Sequence, residues 1–275
     1  MDKNSNQPKD FSQPRYFTYE GRYAMTKPGA NDGKLWITIF PRGSFADFMM
    51  YGQEISKIEY ETASELHGAL HKAGIPYADI VHALELASSA HWDQTRKTDD
   101  TPYITHPISV ATILTAYTKD PDILNAALCH DVLEDTDTRP DHIRWNCNER
   151  VLELVQEVSE PKVLGDRKAS WQERKEKYLA HLTTASEGAL LICAADKIHN
   201  LRSMIGAHNE QGDAIWTKFN SPADKKLWFY GEVLKILTDR LSSPIVSELQ
   251  GVYNDAVRLF GTESDTMGTD GPQTK

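Results

Sequence analysis

The sequence predicts a mainly α-helical fold with a small β-rich appendage at its N-terminus, and two observations carry that reading. Between about residues 15 and 60 bulky and polar residues alternate, whereas from Thr62 onward apolar residues recur at the spacing of a helix face. The 275 residues are 40% hydrophobic and 25% charged, enough to bury a substantial core in one or two domains.

Taken in order, residues 1–14 and 261–275 are polar and rich in Gly, Pro, Ser and Thr, and are expected to be flexible tails. RYFTYEGRYAM, KLWITIF and EISKIEY are expected strands of a β-rich segment spanning 15–60, separated by the turn clusters KPGANDG and PRG. Helices are expected near 62–73, 77–96, 107–118, 121–136, 139–159, 167–184, 187–206, 222–242 and 244–260, making a helical domain over 61–260. Gly74-Ile75-Pro76 breaks the first pair. Pro107, Ser221-Pro222 and Ser243-Pro244 open helices at their first turns.

Thirty Lys and Arg against 40 Asp and Glu leave a net charge of −10, which excludes a basic coat for nucleic acid. A phosphate ligand then needs a local site. Cys129, Cys147 and Cys193 contain no CxxC pair and make no disulfide framework, so a reducing cytoplasm is expected. MDKNSNQPKDFSQPRY lacks an apolar signal core, and no run approaches the roughly 18 apolar residues of a membrane span. No GxSxG elbow, P-loop, GxGxxG fingerprint or zinc-deaminase pattern occurs.

The chemistry concentrates where apolar stripes turn acidic. In DILNAALCHDVLEDTDT the stripe of Leu124, Ala127 and Leu128 runs into His130, Asp131, Glu134 and Asp135. On one continuous helix His130 would lie over Glu134 and Asp131 over Asp135. In ALLICAADKIHNLRSM, Ala189, Cys193, Asp196 and Asn200 share a face, and Asp196 interrupts a core pattern. His106, in TPYITHPISVATIL, immediately precedes Pro107. Unpaired carboxylates on buried faces would cost several kcal/mol, and a divalent cation offsets that cost.

His106, His130, Asp131 and Asp196 form a two-imidazole, two-carboxylate set that suits Mn²⁺ or Fe²⁺ better than the thiolate-rich set of structural zinc. Such an ion lowers the pKa of water and neutralises phosphate. Glu134 and Asp135 are then placed to orient or deprotonate that water. A lone His-Asp dipeptide is more often a cap or a satisfied polar contact; the conjunction carries the reading. His67, His71, His82, His142, His181 and His208 have no such company, while His91 and His199 neighbour the set in sequence.

His91-Trp-Asp-Gln94-Thr-Arg96-Lys97, Pro102-Tyr103-Ile104-Thr-His106-Pro107, the run Ala126 to Thr136 and Ala195-Asp196-Lys197-Ile-His199-Asn200 occur in this order between about 77 and 206. This pattern resembles the HD-domain phosphohydrolases, and more closely the hydrolase domains of RelA/SpoT proteins and the small alarmone hydrolases, metazoan SpoT homologues included. The resemblance implies an HD-domain helical bundle holding one Mn²⁺ through His106, His130, Asp131 and Asp196, with Fe²⁺ or Zn²⁺ as alternatives. It implies removal of the 3′-pyrophosphate from (p)ppGpp or a relative such as (p)ppApp, with Glu134 and Asp135 serving the attacking water. Arg96 and Lys97 match base-stacking and substrate-binding positions, and Asn200 matches a contact near the ribose.

Where many alarmone hydrolases carry a Lys three residues before the second-helix aspartate, this chain has Cys193. The basic residues of WQERKEKY either line a phosphate entrance or form a solvated helix face. The resemblance also suggests a freestanding hydrolase, functional pairing with a toxic small alarmone synthetase, and transient action on modified tRNA. An NADPH phosphatase or another HD-type nucleotidase is the alternative enzyme. A non-catalytic binding module with a vestigial site is the alternative from another class. The β-rich segment is expected to cover the helical domain or to present a partner surface.

Overall fold

In the computed structural model, which describes residues 13, 15–19, 22–28, 35–40, 53–160 and 170–261, a small sheet precedes a helical body. The expected tails, apart from Gln13 and Gly261, and most of the two turn clusters lie outside the described residues. Strands β1 (Arg15–Tyr19), β2 (Arg22–Pro28), β3 (Leu35–Phe40) and β4 (Gln53–Ile55) form one antiparallel sheet in the order β3-β2-β1-β4. Its register pairs Phe17 with Ala24 and Tyr16 with Ile55. Phe17, Tyr23 and Ala24 are fully buried, and Tyr23 and Ile55 join the core of the helical body. The sheet thus covers α1 (Lys57–Ala73), with Tyr16 tilted against Tyr60 at 5.3 Å between ring centroids.

The strand expected over EISKIEY stops at Ile55. Ser56 accepts a hydrogen bond from the Glu59 backbone N–H at 3.2 Å, the arrangement of a helix N-cap, and the chain turns helical at Lys57. Gly74 ends α1 in the left-handed region at φ 74°, where a side chain would be strained.

Three expected helices are interrupted, each for a local reason. The helix expected over 77–96 becomes a 3₁₀ turn at Tyr77–Asp79, α2 (Val81–Ala90) and a loop to residue 104. Asp99 accepts from the Thr101 backbone and hydroxyl at 3.1 and 2.7 Å, competing with helical bonds, and Thr95 bridges to Pro102. The helix expected over 121–136 divides into α4 (Pro121–Cys129) and α5 (Val132–Asp135), after α3 (Thr105–Leu114). That expected over 139–159 divides into α6 (Pro140–Asn146) and α7 (Glu149–Val158), because Asn148 is extended and caps Val151 at 2.9 Å.

Beyond these come α8 (Trp171–Leu182), opened by a Ser170–Glu173 capping box, and α9 (Glu187–Gln211), capped by Ser186. A 3₁₀ segment at Gly212–Lys218, α10 (Ala223–Arg240) and α11 (Pro244–Phe260) complete the fold. Helix α9 packs against α3, α4, α7, α10 and α11. Its small residues Cys193, Ala194 and Ala195 let those neighbours approach closely, so α9 is the spine of the core. No helix of the described residues is long and apolar enough to cross a membrane.

The sheet and α1 bury one carboxyl, that of Glu59, which is 5% exposed. Burial pushes it up to about 7 from an ordinary value of 4.5. The folded chain therefore holds this proton more tightly than the unfolded chain, so its contribution is fully present below pH 4.5 and is lost as pH rises through about 7. Glu59→Gln is expected to stabilise the protein by about 2–3 kcal/mol at pH 8 but not at pH 4. Urea denaturation of both proteins at the two pH values checks this, and an equal difference at both refutes it.

Candidate metal centre

Three stretches of chain converge on one point. His106 lies in the first turn of α3, His130 and Asp131 lie at the α4–α5 break, and Asp196 lies midway along α9. His106 Nε2 is 3.2 Å from Asp196 Oδ1 and 3.5 Å from Asp131 Oδ2; His130 Nε2 is 3.1 Å from Asp131 Oδ2 and 3.7 Å from Asp196 Oδ1. One ligand atom each from His106, His130 and Asp196 falls within 4.8 Å of the others. The four residues brought together are those picked out by sequence pattern.

Their placement differs from the expected single helical face. Asp131 adopts φ −94° and ψ −7°, so the chain kinks there and two consecutive side chains reach the same point. The pairing of His130 over Glu134 and Asp131 over Asp135 on a continuous helix is therefore replaced. Glu134, on α5, lines the cavity beside the cluster, and its Oε1 accepts from the Glu160 backbone N–H at 2.7 Å. Asp135 instead faces Tyr103, whose hydroxyl donates to Asp131 Oδ2 at 2.6 Å and approaches Asp135 Oδ2 at 3.3 Å.

The donor set fits a cation. His130 donates its Nδ1–H to the Ala127 carbonyl at 2.8 Å, which leaves the buried Nε2 to face the carboxylates with either a proton or, in the neutral ring, a lone pair. It faces a carboxylate oxygen, another lone pair. A positive charge between them satisfies both.

The electrostatics point the same way. Burial opposes charge on His130, but the Asp131 and Asp196 carboxylates override it and hold the imidazole well above its usual range. Burial likewise opposes ionisation of Asp131 and Asp196, yet His130 for the first and Lys197 with both imidazoles for the second hold these carboxyls below the usual carboxylate range. Burial pushes His106 down to about 4. Glu134 is pushed up to about 7 by burial and by Asp131, and Asp135 is raised for the same reasons.

Beside this cluster is a cavity of about 160 Å³ whose lining includes two lysines, Lys175 and Lys197. Lys197 pairs with Asp196 Oδ2 at 2.5 Å, and Lys175 pairs with Glu160. Phe229 backs both ammonium groups, at 5.6 and 4.7 Å from its centroid. Lys175 comes from WQERKEKY, so one basic residue of that stretch faces the cavity, while Arg174 is half exposed and pairs with Glu160 at 3.3 Å. Cys193 also lines the cavity, and its buried thiol contacts the Tyr178 hydroxyl at 3.4 Å.

Arg96 and Lys97 lie on the 91–104 loop and not at a helix end. Arg96 donates to Asn200 Oδ1 at 3.0 Å and lies over the Tyr103 ring at 5.6 Å; Asn200 in turn donates to Asp196 Oδ1 at 2.5 Å. Lys97 is exposed and is not among the described residues lining the cavity. Gln94 anchors the loop, donating to the Asp135 carbonyl at 2.7 Å and accepting from His91 Nδ1 at 2.7 Å. Sequence reasoning assigned no role to Tyr103, which touches Asp131, Asp135 and Arg96; its only signal was its place four residues before Pro107 in a polar loop.

Comparison with known proteins supplies the family. The family model described as "HD domain" matches residues 83–221. The guanosine-3′,5′-bis(diphosphate) 3′-pyrophosphohydrolase of Mus musculus is 40% identical over 134 residues, 48% of this chain and 72% of that protein. The bifunctional (p)ppGpp synthase/hydrolase SpoT of Escherichia coli is 37% identical over 121 residues, 43% of this chain and 17% of that protein. A solved structure described as a metazoan orthologue of SpoT that hydrolyses ppGpp superposes with a TM-score of 0.53 at 29% identity, covering 66% of this chain and 96% of the other. With the family pattern spanning the stretch that builds the His-Asp cluster, the chain belongs to the HD-domain family.

Proposed function

We propose that this protein is a divalent-metal-dependent pyrophosphohydrolase that removes the 3′-pyrophosphate from (p)ppGpp or a close relative. The observation that carries the reading is a cation-accepting cluster, in which the buried Nε2 atoms of His106 and His130 face the Asp131 and Asp196 carboxylates, sharing one cavity with Lys175 and Lys197. A polyphosphate is the ligand class that needs a dication and ammonium groups side by side. The relatives' named substrate, a guanosine bis(diphosphate), belongs to that class.

His106, His130, Asp131 and Asp196 would hold the metal, and the mixed imidazole and carboxylate set favours Mn²⁺. When bound, such an ion polarises a phosphoryl oxygen and lowers the pKa of water. The chain's own residues do the rest. Glu134 faces the cavity and takes the proton of the attacking water; Tyr103 holds Asp131 and Asp135 in place. Water oxygen bonds to the 3′-phosphorus, the bond from phosphorus to the ribose 3′-oxygen breaks, and that oxygen receives the proton that Glu134 took from the water. Lys175 and Lys197 stabilise the charge on the pyrophosphoryl group under attack and on the pyrophosphate it becomes. Arg96, held over Tyr103, offers its guanidinium to a purine, and Asn200 binds the ribose side.

Purified protein with Mn²⁺ is expected to release pyrophosphate from ppGpp, with activity lost on chelation and restored by Mn²⁺. Asp131→Ala should lower the rate at least about 100-fold. Chromatography of the products checks this; release of single phosphate instead, as from NADPH, would assign the alternative phosphatase.

The second expectation concerns pH. A general base works deprotonated, so kcat should fall as pH drops through the Glu134 value, at or below about 7 because a bound cation draws it down. Glu134→Gln should cost about 10²- to 10⁴-fold in kcat and remove that acid limb. A variant that keeps both the rate and the limb would exclude Glu134 as the base.

A further inference from the structure

Each imidazole of the cation cluster has a second ring nitrogen, and the two are held differently. His130 donates its Nδ1–H to the Ala127 carbonyl, which can only accept, so in the neutral ring its tautomer is fixed with the lone pair on Nε2. His106 instead places Nδ1 2.8 Å from Nδ1 of His199, with ring centroids 4.8 Å apart and an interplanar angle of 42°. At that separation one nitrogen carries a hydrogen and the other accepts it. His106 Nε2, facing both carboxylates, can bind a cation only when the His106 hydrogen is on Nδ1.

We propose that His199 is a positioning residue of the cation site. It accepts the Nδ1–H of His106 and so holds that ring in the tautomer and orientation that present Nε2 to a divalent ion. The opposite arrangement has His199 donating to His106 Nδ1, which places the His106 hydrogen on Nε2, directed at Asp196 Oδ1 3.2 Å away, and closes the site. Each ring carries one N–H in both arrangements, so the change needs no net proton gain or loss. His199 stands three residues after Asp196 on α9, on an adjacent turn of the same face, so one rigid helix supplies both a ligand and the support for another ligand.

This inference rests on the divalent-cation reading of the cluster, and the test separates the two. Mn²⁺ binding is followed through the free-ion electron paramagnetic resonance signal for wild type, His199→Phe and His199→Asn, with thermal melts recording folding. Phe keeps a ring but removes the acceptor, whereas Asn puts Oδ1 where His has Nδ1. His199→Phe is expected to bind Mn²⁺ about 10- to 100-fold more weakly and His199→Asn close to wild type. Unchanged binding in His199→Phe overturns the proposal, and so does equal weakening of both variants, which assigns His199 to packing. A wild type that binds no Mn²⁺ overturns the cation reading and this proposal with it. Should His199→Phe not fold, imidazole ¹⁵N resonance of the wild type loaded with Zn²⁺ decides. The proposal requires hydrogen on His106 Nδ1 and His199 Nε2, and the opposite assignment refutes it.

Discussion

Two carboxylates, Asp131 and Asp196, are held next to two imidazoles where α3, the α4–α5 break and α9 meet, and the surrounding structure answers the charge that this creates. Leaving a buried charge without its partner costs about 3–5 kcal/mol, comparable with a good part of a domain's net stability. The neighbours are arranged accordingly. Tyr103 donates to Asp131, while Asn200 and Lys197 donate to Asp196. Arg96 then fixes Asn200, and Gln94 fixes the loop that carries Arg96. The 91–104 loop is thereby ordered by the charges it surrounds.

The kink at Asp131 is the geometric counterpart of that constraint. Consecutive residues on a helix point about 100° apart, so His130 and Asp131 could not both address one ion from an unbroken α4. Ending α4 at Cys129 and adding the single turn of α5 solves this, and it also separates two acids that sequence spacing treated alike. Glu134 turns to the cavity, whereas Asp135 turns to the Tyr103 hydroxyl. The cavity's two lysines offset part of the acidity locally. In a protein of net charge −10, Lys175 and Lys197 supply positive charge in the same space as the cluster.

Much of this was legible in the residues. Polar groups interrupting apolar stripes identified His106, His130, Asp131 and Asp196, because a buried face tolerates such groups only when something satisfies them. Less legible were features that depend on distant contacts. Lys175 reads as one charge in a solvated helix until Phe229, from α10, places it at the cavity. The helix at Lys57 was hidden because Ile58 and Tyr60 alternate with polar residues just beyond the capping serine, as in a strand, and Ile58 is in fact 43% exposed.

By itself, then, the sequence determined a helical body behind a short β-rich segment and singled out the four residues that meet at the cluster, since period and residue chemistry are local properties of the chain, while the ordered motifs carried the resemblance to the family. The tertiary structure alone decided where the helices break, which of Glu134 and Asp135 meets the cavity, that Tyr103 meets Asp131 and His199 meets His106, and that Lys97 does not line the cavity. Those facts depend on hydrogen bonds between residues such as Arg96 and Asn200 or His106 and His199, about a hundred positions apart, and no local pattern encodes which atom a side chain meets after so much intervening chain has packed.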